Sequence, residues 1–157
     1  MSIRTFAYVA GILYIGAGVL GFIPGFTSPP PMGAPSLTVE GSYAYLLGLF
    51  PVNVLHNFVH IGIGVWGLLA SGSDARSRIF AMSVAVIYTL FAVMGVLPEA
   101  HTLFGYVPLF GHDVWLHAVT AIVAGYFGFF TPSQVVTVRR THRGTDNVKV
   151  YEEQPRL

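Results

Sequence analysis

The sequence predicts an all-α fold, an integral-membrane four-helix bundle, on three observations. Charge is scarce, four long stretches are apolar, and turn-forming residues separate them. Of 157 residues, 54% are hydrophobic and only 10% charged, with a mean hydropathy of +0.65. A soluble domain carries about 25% charged residues, so this chain has too few to cover a surface in water. An apolar helix needs about 20 residues to cross a hydrocarbon core of about 30 Å. Four stretches qualify: 6–23, 52–70, 79–97 and 114–130.

The first span follows Arg4 and stops at Pro24. It is longer than the apolar core of a signal peptide and no small-x-small cleavage pattern follows, so it reads as a retained helix. The first loop is rich in proline and glycine (Pro29, Pro30, Pro31, Gly33, Pro35) and predicts an external cap, with a short interfacial helix over 42–50. The second span begins after Pro51, a favourable residue just before or inside a first helical turn. A polar turn, 71–77, separates it from the third span, which Pro98 ends. Pro132 follows the fourth span, and 132–157 is a polar tail. Two windows also resemble each other: 49–59 lies over 109–119, with Leu, Phe and two Val in common and Asn53 over Asp113. Upstream, Tyr14, Val19, Gly21 and Pro24 lie over Tyr88, Val93, Gly95 and Pro98. That order reads as two repeated helical hairpins of like orientation.

Composition excludes several functions. With no cysteine there is no disulfide framework, thiolate zinc site, iron–sulfur cluster or cysteine nucleophile. A net charge of +1 leaves no basic face for nucleic acid. The bilayer is the expected partner. Arg4, Arg76, Arg78, Arg139, Arg140 and Arg143 fall at the N-terminus, the second loop and the tail, whereas the first and third loops carry only Glu40 and Glu99. The positive-inside rule then places both termini in the cytoplasm, with the tail arginines resting on anionic headgroups. Gly11, Gly18, Gly21 and Gly25 serve either packing within the chain or a homo-oligomer.

Helix two carries the chemistry. Asn53, His56, Asn57 and His60 stand at i, i+3, i+4 and i+7, one face of a helix. Gly64 and Gly67 continue that face. Helix four repeats the pattern with Asp113, His117 and Thr120, then Ala121, Ala124 and Gly128. Polar groups at membrane depth cost a few kcal/mol each, so they turn inward and find partners. Two histidines four residues apart can bite one ion, and a parallel Asp-x-x-x-His can complete the set. His56, His60, Asp113 and His117 are the candidate ligands for Zn²⁺ above all, with Cu or Fe as further options. Asn53, Asn57, Glu99, His112 and Thr120 are candidate supporting residues.

Two readings compete with a metal ion. The same side chains can act as polar glue inside an accessory subunit of a larger membrane complex. Alternatively, histidines on paired helices can clamp haem, although His56 and His60 would compete for one side of the ring. No nucleophile or acid–base pair stands outside the histidine cluster, so an enzyme has the least support.

The run Leu-Phe-Pro-Val-Asn-Val-Leu-His-Asn-Phe-Val-His at 49–60, leading into a glycine-rich apolar helix, resembles the bacterial membrane family called domain of unknown function 4383. The likeness extends over the four spans, about 5–131. It implies a small four-helix protein of the bacterial inner membrane and assigns no activity. The tail and the proline-rich part of the first loop lie outside it.

Overall fold

A computed structural model describes residues 1–132, 134–143 and 146–155. Helix α1, Ile3–Leu20, starts at Ser2, whose hydroxyl accepts the Thr5 N–H at 3.1 Å. Helix α2, Val54–Ala70, is capped by Asn53, and α3, Asp74–Val96, by Ser73. The Ser73 cap draws the charged residues Asp74–Arg78 into α3, so this helix starts five residues before the predicted span; Asp74 there faces the positive end of the helix dipole. Helix α4, His112–Gly125, runs on into a wider π turn, Tyr126–Phe130.

Three of these, Ile3–Leu20, Asp74–Val96 and His112–Phe130, are long and apolar enough to cross a membrane. Large apolar side chains point outward from them, Leu13 at 66% and Ile122 at 71% exposure. A water-facing surface does not carry such a coat, and these apolar helices mark a membrane protein. The 17 residues of α2 extend only about 25 Å, less than a full crossing. The helix starts two residues later than the predicted span, because Val52 belongs to a strand and Asn53 is the cap.

The predicted interfacial helix over 42–50 is not formed. Strands β1 (Thr27–Ser28), β2 (Ala44–Leu46) and β3 (Phe50–Val52) make a small antiparallel sheet in that order, pairing Thr27 with Leu46 and Tyr45 with Pro51. The reason is local. Ser42, Leu47 and Gly48 take φ of 55°, 53° and 72°, which no right-handed helix admits. In the tail, β4 (Gln134–Arg143) pairs antiparallel with β5 (Asp146–Pro155), Arg143 opposite Asp146. The β-branched residues Val135–Val138, Val148 and Val150 are the sequence signal for these strands. The expected contact of Arg139, Arg140 and Arg143 with headgroups concerns side chains outside those described.

Helix α1 packs on α2 and α3 on α4, while α3 also meets α1 and α2. Glycines let the first pair approach backbone to backbone. A Cβ on Gly11 would lie 2.8 Å from the Gly64 carbonyl, and one on Gly67 would lie 2.9 Å from the Ala7 carbonyl. Gly11, Gly18 and Gly21 are therefore used within the chain, whereas Gly25 faces open space. On the second pair, a Cβ on Gly128 would lie 2.9 Å from Met82. The apolar core gathers Phe6, Ala7, Phe80, Val84, Ala124 and Phe127, with the Phe6 and Phe127 rings stacked at 4.8 Å.

The two ends of the helices differ in chemistry. At one end Arg4 Nε donates to the Ser71 carbonyl at 2.9 Å, and Arg78 donates to the Gly128 and Thr131 carbonyls at 2.7 and 2.5 Å. The N-terminus, the α2–α3 turn and the end of α4 thus share one basic end. The first and third loops meet at the opposite end, where the Thr38 N–H donates to the Gly105 carbonyl at 2.8 Å. Gly105 sits at φ 91°, and a Cβ there would press on the Thr38 hydroxyl.

Candidate functional site

Above the apolar core, α2 and α4 face each other through polar side chains. The 3.6-residue period sets His56 and His60 one turn apart on α2, and α4 brings His117 to the same layer. The His56 and His60 Nε2 atoms are 3.1 Å apart, with the rings edge to face at 4.5 Å between centroids. The His117 ring lies 6.2 Å from that of His56. One ligand-type atom from each of the three histidines falls within 4.8 Å of the others. All three residues are buried, at 2%, 7% and 2% exposure for His56, His60 and His117.

Asp113 is buried as well, and its Oδ2 lies 3.6 Å from His56 Nε2, too long for a hydrogen bond. That oxygen has no hydrogen-bond partner among the described residues, and neither does Nδ1 of His56, His60 or His117. Burying one polar atom without a partner costs about 1–3 kcal/mol. Asp113 stands beside the three-histidine group rather than in it, and it does not line the cavity that the three rings border. The rings of His56, His60 and His117 border a small chamber of about 40 Å³, with Leu103, Val107 and Leu109 of the third loop on its wall. A water needs about 10–15 Å³ of such space, so the chamber has room for only a small guest.

The supporting candidates divide. Asn53 is the N-cap of α2: its Oδ1 accepts the His56 N–H at 3.0 Å. Its Nδ2 donates to the Val39 and Tyr106 carbonyls at 2.9 and 2.7 Å. It supports His56 through the backbone, and its amide does not reach the imidazole. Asn57 turns to α1, against Gly21, and neither end of its amide has a partner among the described residues. Glu99 and His112 are exposed, His112 with its ring 6.4 Å from Phe50. Thr120 is half-buried and lines a groove beside the cluster.

Two tyrosines escaped the sequence reading. Tyr88 is 2% exposed and stands edge-on to His117 at 5.0 Å, while Tyr14 lies 5.7 Å from His60 and 5.5 Å from Tyr88. The weak repeat had aligned Tyr14 with Tyr88, and that correspondence was the available signal.

Comparison with known proteins adds one match: the model of the family described as "Domain of unknown function (DUF4383)" covers residues 4–130. No curated protein and no solved structure matches the chain.

Proposed function

The chain belongs to the DUF4383 family, to which no activity is attached, and from that premise we propose that it is a metal-binding protein of the bacterial inner membrane. Its ion is held by His56, His60 and His117, with Asp113 as the fourth donor and counter-charge. The observation that carries this reading is the convergence of three buried imidazoles on a chamber of about 40 Å³. Zinc–nitrogen bonds of about 2.0–2.1 Å in a tetrahedron put neighbouring donors about 3.3 Å apart. The His56–His60 and His56–Asp113 separations, 3.1 and 3.6 Å, bracket that edge. Imidazole and carboxylate donors without sulfur suit Zn²⁺, and also Cu or Fe. Haem fits less well, because rings 4.5 and 6.2 Å apart leave no room for a macrocycle between them.

Four protein donors make a closed site, which supports a structural or stored ion over an open catalytic one. The basic end formed by Arg4, Arg76 and Arg78 supports a cytoplasmic location for both termini. The histidine layer then lies toward the outer face.

Elemental analysis of protein purified without added chelator tests the proposal. One metal ion per chain is expected, lost in His60→Ala and His117→Ala and kept in Glu99→Gln and His112→Ala. Metal-free wild-type protein that co-purifies with a fixed partner would replace this reading with that of an accessory subunit held together by polar glue.

A further inference from the structure

Helices α1 and α4 do not close against each other. Between them runs a groove of about 400 Å³ that opens along the flank of the helices, within the range of about 300–1,000 Å³ typical of small-molecule sites. Its sides come from α1, including Ala10 and Ala17, and from α4. Its floor is His60, Tyr88 and His117. These three residues also border the small chamber, so one layer of side chains separates chamber and groove.

The lining states what would fit. No Lys, Arg, Asp or Glu touches the groove, which gives no counter-charge to a phosphate or a carboxylate. Its mouth lies on helix faces coated with large apolar side chains, so the entrant comes from the hydrocarbon phase. Its few polar residues are Tyr14, Tyr88, Thr120 and the two histidines, with Tyr14 beside both Tyr88 and His60. The Tyr14 hydroxyl is buried without a partner among the described residues, and Tyr14 lines the groove. Aromatic side chains of Phe6, Tyr14 and Tyr88 form part of the lining. A neutral, flat ring bearing carbonyl acceptors on an apolar chain answers all three demands.

We propose that the groove between α1 and α4 is a binding site for a lipid-soluble quinone, entered sideways from the bilayer, with its ring oxygen received by Tyr14 and its tail along Ala10 and Ala17. The site stands on its own lining and holds with or without an ion in the chamber.

The test is calorimetric titration of a decyl-substituted benzoquinone into the full chain in lipid nanodiscs, with metal content measured on the same samples. Saturable binding near one per chain is expected. Tyr14→Phe removes the hydroxyl donor and should weaken binding about tenfold, the scale of one good hydrogen bond. Ala17→Phe fills the groove and should abolish binding while the metal content stays at the wild-type level. Ala10→Phe provides a second filler if the first variant melts early. Absence of saturable binding, or unchanged affinity in a folded filler variant, overturns the proposal. So does equal displacement by 1-decanol, which would make the groove a slot for lipid chains. Quinone binding by metal-free wild-type protein would overturn the metal reading alone.

Discussion

Asn53 joins three parts of the chain with one amide: the first turn of α2, the first loop at Val39 and the third loop at Tyr106. The cap bond is buried and the two loop bonds are partly buried, so truncation removes about 1 kcal/mol apiece and strands two carbonyls. Asn53→Ala should therefore lower stability by about 2–4 kcal/mol, read as a fall in melting temperature in detergent, whereas His112→Ala at an exposed position should change little. At this scale the α2 stripe was legible, because side chains four residues apart must share a helical face whatever surrounds them. Asp113 and His117 were legible for the same reason. Glu99 and His112 were not, since no periodicity says where a loop residue or the first residue of a helix points. Tyr14 and Tyr88 were hidden differently: an aromatic in an apolar helix reads as packing until its neighbours are seen.

Among the elements, the α1–α2 contact depends on missing side chains. A Cβ on Gly64 would stand 2.7 Å from the Gly11 carbonyl, where the obstacle is backbone and cannot turn aside. Gly64→Ala should destabilise the protein by about 1–3 kcal/mol, the usual cost of overpacking. Gly16→Ala, with nothing within 4 Å, should be neutral or stabilising by up to about 1 kcal/mol. Comparing the two melting curves separates helix propensity from helix contact. Arg78 makes a second prediction. Its guanidinium holds the Gly128 and Thr131 carbonyls where the π turn ends, so Arg78→Ala should speed amide exchange over 126–130 and leave α1 unchanged. Helix existence was legible from the uncharged stretches. The sheet β1–β3 was not, because its strands are two or three residues long and its bends fall at Ser42 and Leu47, residues that seldom take positive φ.

For the whole molecule, the absence of cysteine is an experimental advantage. Single cysteines at Glu99→Cys and Arg76→Cys should react oppositely with a membrane-impermeant maleimide on intact cells. The first should label at once, and the second only after permeabilisation; the reverse result would invert the orientation. The membrane class followed directly from charge scarcity, since unpaired charge is expelled from hydrocarbon in any topology. How the two helical pairs meet did not follow, because lipid-facing and core-facing apolar residues look alike in a chain coated with leucine, valine and phenylalanine. The groove between α1 and α4 arises from that pairing and has no motif. The wall of Leu103, Val107 and Leu109, tied down through Asn53, has a kinetic consequence. With the histidines at most 7% exposed, an ion bound there as proposed would not exchange by diffusion alone. It would wait for the loops to part. Isotope exchange should therefore run at the rate of that opening, and Asn53→Ala should hasten it even where equilibrium affinity hardly changes.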